Sequence, residues 1–250
     1  MRTAPRALIA GLGLIGGSIG MALRARGWQV AFDDPQVTLD EARRAGAADE
    51  AGGDADLLII ATPVDAAIEI LRTANRELQT TSVCGVMLPL RQAADERRVD
   101  FVAGHPMAGS HERGISAASA DLFRDKKWFV DREEPWVGRL IDDCGAKMVR
   151  VEPHEHDAAV ALTSHLPQVL STALAAYIGE QDVIDFAGSG LQTFLRLAAS
   201  DASVWSPIVN ANRANIARHL EGVLRVARQI LDGDSDEFLR AQELLRRLTQ

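Results

Sequence analysis

The sequence predicts an α/β fold: an N-terminal doubly wound parallel sheet followed by an all-α C-terminal domain. Three features predict it. Short apolar runs alternate with helical patterns through about Val151. A glycine-rich turn, Gly11-Leu-Gly13-Leu-Ile-Gly16, links the first run to the first helical pattern. Beyond Glu152, 3.6-residue periodicity takes over and no convincing strand remains.

In chain order, Ala7–Ala10 reads as a strand, and the glycine turn leads into a helix reaching about Arg26. Trp28–Phe32 is a second strand, closed by Asp33-Asp34. Leu57–Ala61 is apolar throughout, as suits a strand buried on both faces, and Thr62-Pro63 ends it. A helix from about Asp65 to Leu78 follows. Thr81–Val86, Phe101–Ala103, Trp128–Val130 and Lys147–Val151 are read as further strands of the parallel sheet. His154–Ile178, Phe186–Ala199, Ser206–Leu231 and Ser235–Leu248 read as helices. Two domains are therefore expected, residues 1–152 and 153–250.

With 250 residues, 47% apolar and 25% charged, the chain can bury a sizeable core. This excludes collagen-like, purely coiled-coil and disordered classes. A net charge of −8 argues against a nucleic-acid partner, because phosphate backbones are repelled. Cys84 and Cys144 form no disulfide framework and suit a reducing compartment. The uncharged stretch Ala7–Leu23 follows Arg2 and Arg6 in the manner of a secretory signal. Its glycines suit a phosphate-binding turn better, and it falls short of the ~20 residues that span a bilayer. A soluble, cytoplasmic protein without membrane contact is expected.

The glycine turn has the G-x-G-x-x-G pattern of a Rossmann-like, dinucleotide-binding unit. Gly11 allows the tight turn, Gly13 lets backbone approach a pyrophosphate, and Gly16 lets helix pack on strand. The helix N-terminus at Leu14 and Ile15 attracts the anion. Asp33 ends the next strand, 22 residues after Gly11, where an acid binds ribose hydroxyls. It repels a 2′-phosphate, and no Arg or Lys lies between Trp28 and Asp40, so NAD is favoured over NADP. Thr62, at the end of the third strand, joins Gly11, Gly13, Leu14, Ile15, Gly16 and Asp33 as a cofactor-binding candidate.

His105, in Gly104-His-Pro-Met-Ala-Gly-Ser110, sits just past a strand, where α/β sheets bind ligands. It reads equally as a general base or as a loop residue capping backbone groups. Ser164, Gln168 and Ser171/Thr172 form a polar stripe on an apolar helix, which either lines a site or back-bonds to the helix. Pro167 kinks that helix. His154, His156 and Asp157 lack the spacing of a metal set, so no metal is expected. Ser164-His165 and Ser110-His111 are adjacent pairs without a nucleophile elbow, which argues against a hydrolase. Arg196, among apolar neighbours, calls for an anion, from the protein or from a substrate.

Together GLGLIGGS at Gly11–Ser18, GHPMAGSHERG at Gly104–Gly114, Asp121-Leu-Phe, Ser164-His-Leu-Pro, Arg196, Trp205 and Asn210 resemble the prephenate and arogenate dehydrogenases of tyrosine biosynthesis. The resemblance implies a Rossmann domain, a helical domain that intertwines two subunits, and NAD-dependent oxidative decarboxylation of a cyclohexadienol. It implies that His105 takes the ring hydroxyl proton and that Arg196 binds the ring carboxylate. Ser110, Ser164 and Gln168 fall at substrate-pocket positions. Val83–Leu90 (VCGVMLPL) lacks the serine and lysine of many members, and Gln168 and Thr193 replace a histidine and an acid. Prephenate, arogenate and a related intermediate of a specialised pathway thus stay open as substrates. A non-catalytic NAD-binding paralogue is the contrasting reading, opposed by the presence of both His105 and Arg196.

Ile216, Leu220, Val223, Ala227 and Ile230 recur at spacings of 4, 3, 4 and 3, an apolar seam. It packs within the chain or, as the resemblance implies, across a homodimer.

Overall fold

The computed structural model describes residues 4–109 and 112–248. Six parallel strands form the main sheet: β1 (Arg6–Ala10), β2 (Gln29–Asp33), β3 (Glu50–Ala51), β4 (Leu57–Ile60), β5 (Gln79–Ser82) and β6 (Phe101–Val102). Their order is β3-β2-β1-β4-β5-β6, so the chain reverses its winding between β1 and β4 and opens a crevice there. Helices α1 (Leu14–Ala25), α2 (Leu39–Arg44), α3 (Val64–Thr73) and α4 (Leu88–Arg97) alternate with the strands. All four β4 residues are buried between two cores. One is built on Ile9, Ile19, Leu23 and Phe32, the other on Ile60, Leu71, Met87 and Phe101.

The α/β class and the helical second part are as the sequence predicts. The details differ where polarity masks the pattern. β5 spans Gln79–Ser82 rather than Thr81–Val86, because Thr80 and Thr81 are buried with their hydroxyls donated to the Leu78 and Val102 carbonyls. α2, closed by a Thr38–Glu41 capping box, and α4 are absent from the sequence reading.

One expectation is corrected. The strands near Trp128 and Lys147 do not extend the parallel sheet. β8 (Lys127–Val130) and β9 (Lys147–Arg150) join β7 (Gly104–Pro106) in a separate three-stranded sheet, with α5 (Pro135–Asp143) between them. β7 pairs antiparallel to β8, which sets His105 opposite Phe129. The break falls at Ala103, whose N–H donates to Asp131 Oδ1 at 2.9 Å while its carbonyl accepts from Asp131 N at 3.1 Å. Gly104 follows because a Cβ there would lie 2.6 Å from the Ser82 carbonyl.

From residue 153 every described element is helical. α6 (Pro153–Val160) passes through a π-turn at Ala161–His165 into α7 (Leu166–Gly179). Pro167 has no N–H and crowds the preceding turn, and the helix widens there instead of breaking. Then come α8 (Ser189–Leu195), a 3₁₀ turn at Arg196–Ala199, α9 (Ala202–Ala211), α10 (Arg213–Leu231) and α11 (Asp236–Leu248). The single helix expected over Ser206–Leu231 is two, divided at Asn212. Among the described residues no helix is long and apolar enough to cross a membrane.

Candidate active site

The first turn of the crevice is built by its glycines. Gly11 takes φ +89°, and a Cβ there would meet the Ala61 carbonyl at 2.7 Å. A Cβ on Gly16 would clash with the Gly11 carbonyl, so α1 closes tightly on the turn. The space before Gly13 is open, with no atom within 4 Å of where a Cβ would stand. α1 begins with no side-chain cap and no acid in its first turn, so the N–H groups at Leu14 and Ile15 keep their pull on an anion. Thr62, beside Gly11, buries a hydroxyl with no hydrogen-bond partner among the described residues. An open glycine, an uncapped helix and an orphaned hydroxyl on one rim fit a dinucleotide's pyrophosphate.

The two acids at the end of β2 divide their work. Asp34 Oδ2 accepts the Leu12 N–H at 2.7 Å and Oδ1 accepts from Gln36, so this carboxylate holds the glycine turn. Asp33 gives its backbone carbonyl to Gly11 N and leaves its carboxylate exposed at the strand end. Sequence reasoning singled out Asp33 and missed the structural role of Asp34.

Beyond the sheet, His105 Nδ1 lies 2.9 Å from His156 Nε2, with the rings edge to face at 81°. His156 Nδ1 lies 2.8 Å from Asp157 Oδ1. Asp157 in turn accepts the N–H of Met87 at 2.8 Å and of Leu88 at 2.9 Å, where α4 begins. His156 and Asp157 are both buried. Burial, with His156 and His165 close by, pushes His105 down to about 3. The histidine–aspartate pair, considered in the sequence only for metal binding, is instead the support of His105. Adjacent residues on a helix gave no signal that both would point inward to another element.

His165 is structural. Asn212 Nδ2 donates to its Nδ1 at 3.1 Å and to the Asp157 carbonyl at 2.7 Å, while Trp205 packs edge-on against its ring. Its pKa is lowered to about 4, chiefly by burial.

The polar stripe of α7 bonds across to the segment that carries Arg196. Gln168 Nε2 donates to the Leu197 carbonyl at 2.8 Å and to Thr172 Oγ1. Ser171 Oγ donates to the Phe194 carbonyl at 3.0 Å and accepts the Ala198 N–H at 3.1 Å. The stripe thus grips the backbone on both sides of Arg196. Arg196 is exposed in the single chain and makes no ion pair with a described residue. Ser164 is half-buried in the π-turn, and Ser110 lies outside the described residues.

A switch-point crevice with a glycine fingerprint, and an anchored histidine just past the last strand of the same sheet, define a nucleotide-dependent α/β dehydrogenase with a helical second domain. Residues 19–149 match the family described as prephenate dehydrogenase, nucleotide-binding domain, and residues 152–243 the prephenate dehydrogenase dimerization domain. The chain belongs to the prephenate dehydrogenase family. It is 31% identical to the probable prephenate dehydrogenase NovF of Streptomyces niveus, over 94% of this chain and 71% of that one. It is 26% identical to the prephenate dehydrogenase of Lactococcus lactis subsp. cremoris, over 86% of this chain and 69% of that one. In fold it is similar to the A. aeolicus prephenate dehydrogenase solved with hydroxyphenyl propionate and NAD⁺, with TM-score 0.85, 24% identity and 99% of each chain covered.

Proposed function

We propose that this dehydrogenase oxidatively decarboxylates prephenate to 4-hydroxyphenylpyruvate, or arogenate to tyrosine, using NAD. The reading rests above all on His105: its Nδ1 is engaged, and its Nε2 has no hydrogen-bond partner among the described residues, at the carboxyl end of the sheet. NAD, when bound, supplies the hydride acceptor. The α1 N-terminus with Gly11, Gly13, Leu14, Ile15 and Gly16 holds the pyrophosphate, with Thr62 on the rim, and Asp33 holds the ribose. His105 Nε2 accepts the ring hydroxyl proton. Arg196 pairs with the ring carboxylate until it leaves as CO₂. Ser110, Ser164 and the free Oε1 of buried Gln168 serve the rest of the substrate.

Residues 1–152 hold the nucleotide, and residues 153–250 complete the substrate site and the homodimer. Among the described residues, all the exposed large apolar side chains but Met107 lie after residue 160, among them Phe186 at 89% and Leu231 at 85%. Buried free thiols at Cys84 and Cys144 suit a cytoplasmic enzyme.

The test is NADH formation with prephenate and with arogenate in parallel. A cyclohexadienol other than these is a second reading, favoured by the apolar Val83–Leu90 stretch, in which Val86, Met87 and Leu90 are buried. NAD binding without turnover of either compound, together with NADH formation from a related cyclohexadienol, selects it.

A further inference from the structure

We propose that His156 and Asp157 act with His105 as one proton-handling unit, in which His156 receives the proton that His105 gives up as it takes the substrate's. The two are positioning residues, since they act on substrate only through His105. The inference rests on the reading of His105 as proton acceptor and adds the route by which the resulting charge is held.

The hydrogen bonds fix the direction. Asp157 accepts two backbone N–H groups at the start of α4, one on each oxygen, which orient its carboxylate and engage both oxygens as acceptors. An ionised carboxylate only accepts, so His156 must donate from Nδ1. The neutral His156 ring then carries a lone pair on Nε2, and His105 must donate to it from Nδ1. His105 is thereby left with its lone pair on Nε2, the nitrogen without a partner among the described residues. The chain from α4 to His105 sets the one tautomer that a general base needs.

The same chain gives the proton a destination. When His105 Nε2 takes the hydroxyl proton, the Nδ1 proton of His105 passes to His156 Nε2. His105 ends neutral with its proton on Nε2, and His156 ends as an imidazolium beside the Asp157 carboxylate. After product leaves, His156 returns its proton to His105 Nδ1, and the Nε2 proton goes to solvent. The environment favours this hand-over. His105 faces His156 and stands near His165, two groups that oppose a positive charge on it, and it has no carboxylate of its own. His156 has one at 2.8 Å. Around His156 pack Phe129 from β8, His105 from β7 and Asp157 from α6, and His165 lies near from the π-turn. Asp157 is the only anion in that set.

Three variants and one spectrum test it. His156→Gln keeps an acceptor for His105 Nδ1 but cannot hold the proton. The expected result is a kcat lowered by more than about tenfold with little change in KM or NAD binding. The acid limb of kcat should also move to higher pH, because the repelling ring is gone. Asp157→Asn lets an amide donate to His156 and reverses both tautomers, a change that costs up to about 10⁴-fold in a related pairing. Histidine ¹⁵N spectra of the unmodified protein read the tautomers with no dependence on variant folding. Protons on Nδ1 of both rings support the unit, and a proton on Nε2 of His105 overturns it. A His156→Gln enzyme with unchanged kcat and pH profile also overturns it, while loss of activity in His105→Asn still upholds the proton-acceptor reading. Full activity in His105→Asn overturns both.

Discussion

Gln168 donates its side-chain amide to the carbonyl of Leu197 at 2.8 Å, one residue past Arg196. With Ser171 bound to Phe194 and Ala198, it fixes the turn that carries the guanidinium. Hydrogen bonds to charged groups contribute about 1.5–3 kcal/mol, so Arg196→Ala should raise the substrate KM by about 10- to 10²-fold. Arg196→Lys should rescue poorly, because an ammonium lacks the planar fork. Gln168→Leu should raise KM in the same direction with the arginine intact. Steady-state kinetics decide this, and an unchanged KM in Arg196→Ala removes the arginine from the substrate site.

Asp33 should select the cofactor. Its carboxylate is exposed beside the glycine turn, whereas that of Asp34 is committed to Leu12. Asp33→Ser should lower the preference for NAD over NADP by at least about tenfold in kcat/KM, while Asp34→Ser should instead weaken binding of both. Equal use of the two cofactors by the unmodified enzyme would sink this assignment.

His105→Asn should lower kcat by at least about 10²-fold and leave NAD binding intact. Stability should also respond to pH. His105 and His165 are held neutral in the folded chain, lowered by burial to about 3 and about 4. Unfolded histidines take up protons below about pH 6.5. The unfolded state therefore binds more protons between those limits, and stability should fall as pH drops from about 6.5 towards 4. Thermal melts across that range should show a shallower fall in His105→Asn than in the unmodified protein.

Light scattering coupled to size exclusion should give twice the 27.0 kDa of one chain at micromolar concentration. Within the seam of α10, Ile216 is buried in its own chain, whereas Val223 and Ala227 remain exposed. Asp or Lys at Val223 should therefore weaken assembly, while Ile216→Ala should lower stability first. A single-chain mass with full activity contradicts the dimer.

Much of this molecule is legible in its sequence because the relevant signals are local. The glycine turn, LLII of β4 and the periodic helices each declare themselves within a dozen residues. What escapes is decided between distant segments. Nothing near Trp128 says that its strand leaves the main sheet, because the break is made by Asp131 reaching Ala103. Nothing in His156-Asp157 names His105, 51 residues earlier in the chain, as its partner. The polar stripe of α7 was visible, but its partners are backbone groups on another element, which carry no side-chain signature.

The π-turn at Ala161–His165 has a consequence for chain length. A helix advances about 100° per residue, and a π-turn holds one residue more than an α-turn. The helix upstream aims Asp157 at the start of α4, and downstream it aims Gln168 and Ser171 at the Arg196 turn. Removing one residue from 161–165 would narrow the π-turn to an α-turn and leave the two halves in phase, whereas removing a second would swing one half about 100° out of phase with the other. The proton-handling side and the carboxylate-binding side are thus geared together by an insertion. One deletion there, of a solvent-facing residue such as Thr163, is absorbed by the turn, while a second would disengage the two sides without breaking the helix.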